Sequence, residues 1–107
     1  MIESRKILIL YCPVPDEEIA LQLGSKLVHL RLAACTQYWP VTSQFFWEGQ
    51  AQKEGEYILW VKTFVELGMR AQNFLTENHP YRTACILTLH ASVNEAYYSW
   101  MKTELGE

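Results

Sequence analysis

Several familiar features are missing from this chain, and each absence removes a class of function. There is no excess of positive charge: nine Lys and Arg stand against twelve Asp and Glu, for a net charge of −3. Nucleic acids and anionic membranes both select a basic face, so neither is an expected partner. No apolar run approaches the length of a bilayer span. The first such run, Ile7 to Cys12, is stopped by Pro13, and the opening MIESRKILIL lacks the order of regions that marks a secretory signal. These features predict a soluble, cytoplasmic protein. The three cysteines, Cys12, Cys35 and Cys85, form an odd set without a CxxC pair, which is a poor disulfide framework and lacks the spacing of a structural zinc site. A glycine-rich phosphate loop, a GxSxG elbow and an HExxH helix are also absent, and no catalysis is expected.

What remains is a chain of 107 residues, half of them apolar and 20% charged, sized for one domain over 1–107 with one core. Residues 6–12, KILILYC, have the continuous apolar character of a strand covered on both faces. "PVPDEE" breaks the chain and then supplies acids for a first helical turn. A helix is predicted over about 16–31, with Ile19, Leu23, Leu27 and Leu30 as its stripe and Ala20 and Val28 widening it. A long strand follows from Ala33 to Trp47, interrupted at Pro40. "EGQAQKEGE" is predicted as a polar turn before a second hairpin strand, YILWVKT. A helix over about 65–78 ends at "NHP", because the residue before a proline leaves helical geometry. ACILTLH is predicted as the fourth strand. Ser92 and Glu95 match a capping box for a last helix that buries Tyr97, Trp100, Met101 and Leu105. The order βαββαβ plus a C-terminal helix predicts an α+β, ferredoxin-like split βαβ fold with an antiparallel sheet and a long β-hairpin.

The hairpin raises a question of size. A strand of about 15 residues spans roughly 50 Å, whereas a compact domain of this length is about 35 Å across. Part of the ribbon must project or bend, carrying Phe45, Phe46 and Trp47 with it. Exposed aromatic edges pair with other chains, which predicts a closed oligomer with these three residues at the interface. The competing reading folds the same rings onto the open face of the chain's own sheet, under the last helix.

The segments RLAACTQYWPVTSQFFWEG, EYILWVKT, NHPY and NEAYYSWM together resemble the CutA family of divalent-ion tolerance proteins, from Ile7 to about Met101. The resemblance implies a trimer assembled through long strands and a cytoplasmic role in tolerance of copper and other divalent cations. It also implies an architecture similar to the PII signalling proteins, whose trimers bind small ligands in clefts between subunits. His79, Pro80 and Tyr81 match the family's segment after the second helix. A proline and a glutamate are usual three and four positions beyond the tyrosine, and here those positions hold Ala84 and Cys85. Trp47, Glu48 and Gly49 match the hairpin tip, Glu56 an acidic position opening the next strand, and Lys62 and Thr63 its end. Cys12 falls where some members carry cysteine.

The expected layout pairs the first and third strands in parallel. It gathers Cys12, Cys35, Thr63, His79 and Cys85 at one sheet end and leaves Glu56 at the other, reachable only from a neighbouring subunit. The candidate metal ligands are Cys12, His79, Cys85 and Glu56, and a histidine with two thiols suits a soft or borderline ion such as Cu(I) or Zn(II). A buried cysteine acting as a small apolar group, and a histidine bonded to nearby backbone, are the plainer readings of the same residues. Trp47, Lys62 and Tyr81 are candidate cleft residues. Copper or another divalent cation is the expected ligand, with no metal needed for folding. The alternatives are a PII-like sensor of a small organic or nucleotide-like anion and a trimeric scaffold for a protein partner.

Overall fold

The computed structural model describes residues 5–106. In chain order the elements are β1 (Arg5–Val14), α1 (Glu17–His29), β2 (Cys35–Trp47), β3 (Gln50–Thr63), a 3₁₀ turn (Val65–Leu67), α2 (Gly68–Asn78), β4 (Leu87–Val93) and α3 (Glu95–Leu105). The strands form one sheet in the order β2-β3-β1-β4, and each of its three pairings is antiparallel. The expected parallel pairing of the first and third strands is therefore wrong. In a split βαβ unit β1 and β2 run the same way, and β3, turning back from β2, must oppose both.

α1 and α2 pack on one face of the sheet. Leu8, Leu10, Cys12 and Val14 of β1 meet Leu59 and Val61 of β3, Leu23 and Leu27 of α1, and Leu75 of α2. Asp16 caps α1 by accepting from the Ile19 N–H at 2.9 Å. Gly24 lets this helix lie close, because a Cβ there would meet Thr36 Oγ1 at 2.8 Å. The helix stops at His29, and Arg31 takes a φ of 57°. Val28, off the buried side of the helix, and Leu30, at its C-cap, are exposed, contrary to the predicted stripe. α3 covers one end of the other sheet face, where Met101 and Leu105 join Ile7, Phe64 and Leu67. Trp100, expected inside, is exposed. The expected Ser92–Glu95 box does not form: Ser92 belongs to β4, and Asn94 is the N-cap without a side-chain capping bond.

The hairpin is longer than predicted. Glu48 and Gly49 both have positive φ, 52° and 79°, as a two-residue type I′ turn requires. The polar segment 50–56, expected as loop, thus continues β3, and pairing runs without slip from Cys35↔Lys62 to Trp47↔Gln50. Pro40 sits inside this register opposite Tyr57 without interrupting it, as an edge strand allows. The molecule measures 47 × 31 × 21 Å, and the long axis exceeds the diameter of a compact domain. Phe45, Phe46 and Trp47 stand 38%, 79% and 42% exposed on the projecting end. They are not folded under α3.

Pro13 decides where β4 begins. β1 does not stop there, as expected, but runs on to Val14, with Pro13 opposite Ile58 of β3. The Pro13 carbonyl accepts from the His79 ring rather than from β3. In an antiparallel ladder the N–H and C=O of one residue share a side, so the missing N–H of Pro13 faces β4. The β1–β4 ladder accordingly ends at Tyr11↔Leu87. Residues 84–86, predicted as strand, are irregular, and β4 is displaced to 87–93.

Thr63 is fully buried and donates to the Leu32 carbonyl at 2.7 Å, joining the end of β3 to the segment before β2. Thr63→Val keeps the shape but strands that carbonyl, and is expected to lower unfolding stability by about 1–3 kcal/mol in urea titration.

Candidate functional site

The end of β1, residue 56 of β3 and the irregular segment 79–86 meet at one end of the sheet. α2 ends at His79, whose extended ψ of 137° is imposed by Pro80. That turn aims the imidazole at β1, where Nε2 lies 2.8 Å from the Pro13 carbonyl, and Nδ1 accepts the Tyr81 backbone N–H at 3.0 Å. Because Nδ1 accepts and Nε2 faces an oxygen, the ring is the neutral Nε2–H tautomer with both nitrogens engaged. Tyr81 folds back, its ring centroid 4.8 Å from that of His79, and its hydroxyl donates to Glu56 Oε2 at 2.6 Å. Burial, then the bond and charge of Glu56, then Glu54 and Asp16, raise the Tyr81 phenol pKa above its ordinary value. Glu56 itself is only 8% exposed. The next residue, Arg82, places its guanidinium 5.5 Å from the ring centre of Trp47 on the hairpin.

Glu56 and His79 thus belong to the same end of the same chain. The predicted separation followed from the wrong direction for β3, as did the placement of Cys35 and Thr63 beside Cys12. Cys35 pairs with Lys62 and Thr63 with Leu8, both at the far end of the sheet. There the Lys62 ammonium lies 5.3 Å from the Tyr97 ring centre. Burial, then Cys35, raises the Tyr97 pKa.

Cys12 and Cys85 do share an end. Cys12 is fully buried in the helix-side core, its Sγ 3.9 Å from the Pro13 carbonyl, and Cys85 is exposed. Burial, with a smaller effect from Cys85, pushes the Cys12 thiol up to about 12. The four candidate ligands are therefore brought to one region. Among the described residues, however, no three His, Cys, Asp or Glu groups converge on a point as a metal site requires. The residues that sequence reasoning missed here are Pro13, Glu54 and Arg82. The true direction of β3 would have exposed the first two, since Pro13 faces Ile58 and Glu54 lies two residues beyond Glu56 on the same face of the hairpin.

Two predictions follow from this geometry. Tyr81→Phe deprives the buried Glu56 carboxylate of its donor, and unfolding stability should fall by about 1–3 kcal/mol. The Cys12 thiol keeps its proton in the folded state up to about pH 12, whereas the unfolded chain releases it near the ordinary 9.0. The unfolded state then binds fewer protons, so this contribution is intact below about pH 9 and lost as pH rises towards 12. Urea unfolding at about pH 8 and about pH 10.5 should show Cys12→Ala losing less stability between the two than the unaltered chain.

Residues 8–104 match the family described as CutA1 divalent ion tolerance protein. The divalent-cation tolerance protein CutA of Thermotoga maritima is 32% identical over 97 residues, which cover 90% of this chain and 96% of that protein. The structure of CutA from Synechococcus elongatus superposes with a TM-score of 0.88 at 34% identity, over 97% of this chain and 94% of that one. A protein described as the periplasmic divalent cation tolerance protein CutA from Archaeoglobus fulgidus gives 0.89 at 26% identity, over 92% and 98%. Its four-stranded antiparallel sheet, its three helices and the extent of these matches agree: the chain belongs to the CutA1 family of divalent ion tolerance proteins.

Proposed function

We propose that this protein is a non-enzymatic, trimeric divalent-cation response protein that binds copper or a related ion at or near clefts between its subunits. One observation carries the reading: the sheet of this CutA1 chain has an apolar face, and a hairpin extending from it, that among the described residues α3 covers only at one end. Trp39, Leu87 and Leu89 lie exposed on the face away from α1 and α2, Phe45 and Trp47 continue that face outward along the hairpin, and Phe46 is exposed on the hairpin's other side. A surface of this kind is stable in water when copies of the chain shelter it.

The donor groups of one chain do not form a finished metal site. A cation at Cys12 must displace a firmly held proton, and one at His79 must displace a backbone partner. Metal binding therefore belongs to the assembled protein, where a neighbour adds donors to His79, Cys85 or Cys12, and it is accompanied by proton release. The three free thiols suit a reducing compartment, and a cytoplasmic location is part of the same proposal. Among the described residues no helix is long and apolar enough to cross a membrane.

A second reading, a PII-like sensor of a small anion, draws on the full engagement of both His79 nitrogens and on Cys85 at the family's glutamate position. Light scattering should return three times the 12.5 kDa chain mass. Cu(II), Zn(II) or Cu(I) under reducing conditions should raise the trimer's melting temperature. A rise with anionic metabolites alone selects the sensor. A trimer indifferent to both metals and metabolites overturns the ligand-binding function and leaves a scaffold.

A further inference from the structure

Among the described residues, Glu56 and Lys62 are two charges without opposite partners in the single chain. Both project from β3 to the sheet face that α1 and α2 leave uncovered, with Ile58 and Trp60 between them on that face. The Glu56 carboxylate, 8% exposed, receives one hydrogen bond, from the neutral Tyr81 hydroxyl. Among the described residues no cation comes within ion-pair distance of it. Arg82, close in sequence to Tyr81, is turned to Trp47 instead. Lys62 is half-buried, its ammonium against the face of Tyr97, and among the described residues no carboxylate pairs with it.

These two groups cannot satisfy each other within one chain. Six residues of strand separate them by about 20 Å, against the 4 Å of an ion pair. Leaving a buried carboxylate without a counter-charge is costly, and so is a half-buried ammonium against an aromatic ring when the surface around it loses water. The face between them is apolar and includes the exposed Trp39, Leu87 and Leu89.

We infer that Glu56 of one copy forms an ion pair with Lys62 of the next copy across the subunit boundary, so that the Glu56–Tyr81 site is complete only in the oligomer. The inference rests on the trimer proposed above. Each copy presents an acid at one end of the face and a base at the other, and a contact between unlike ends repeats around a closed ring. The apolar centre supplies attraction, and the charges at its ends set register, because a slid or reversed docking buries both without a partner.

Glu56→Gln keeps the shape and an acceptor for Tyr81, and Lys62→Met keeps a stem against Tyr97. Dissociation on dilution, followed by sedimentation, is measured for the unaltered trimer, both single variants and the double variant. Each single change is expected to raise the midpoint concentration about tenfold or more, and the double change no further than the worse single. The exchange Glu56→Lys with Lys62→Glu provides a second readout: the double exchange should recover a trimer that either half alone weakens. Single losses that multiply in the double variant, together with an exchange that fails to recover assembly, overturn the pair and leave the trimer standing. An unaltered protein that is monomeric at every concentration overturns the trimer and the pair together.

Discussion

The antiparallel ladder between β1 and β3, from Leu8↔Thr63 to Val14↔Tyr57, is the constraint on which the rest of the molecule depends. It puts the two most buried strands side by side and fixes the order of the other two around them. It also sets which side chains face the helices and which face outward. Leu10, Cys12, Leu59 and Val61 fall inward and make the core, with Ile58, Trp60 and Lys62 on the opposite side. Because β3 is 14 residues long and β1 only 10, the ladder leaves the distal part of the hairpin with no strand behind it. The candidate site grows at that step, where β1 runs out and the segment after α2 folds in to meet Glu56.

The site depends on two prolines acting in opposite ways. Pro80 fixes the extended geometry of His79 and aims its ring at β1. Pro13 supplies the carbonyl that receives the ring, and its missing N–H keeps β4 from occupying the same space. Beyond the end of the β1–β4 ladder the irregular segment 79–86 carries Tyr81 to Glu56 and Arg82 to Trp47. A histidine that looks like a free ligand in the sequence is in this fold a brace between an element's end and a neighbouring strand.

Much of the architecture was legible in the sequence because hydrophobic period and turn chemistry are local. The α1 stripe of Ala20, Leu23 and Leu27, the end of α2 before Pro80 and the outsized hairpin follow from short-range patterns. The errors came from non-local facts. Segment 50–56 is polar and reads as loop, but the tight turn at Glu48 and Gly49 commits it to pairing with β2. The start of β4 depends on a missing proton eight residues into another strand. The relative direction of β1 and β3 is a property of topology, and taking it wrongly sent Glu56, Cys35 and Thr63 to the wrong ends of the sheet. Cys12, His79 and Cys85 were rightly grouped, because that grouping rests on β1 and β4 and not on β3.

The same step in the ladder divides the chain optically. Trp60 sits on the part of β3 that pairs with both β1 and β2, whereas Trp47 is on the part held by one partner strand and a single guanidinium. Residues 42 to 55 belong to a two-stranded ribbon, which frays locally, whereas Leu59 is paired on both sides and opens only with the core. In the isolated subunit these two indoles therefore report on different events, and an emission signal that sums them with Trp39 and Trp100 is not a two-state measure of folding.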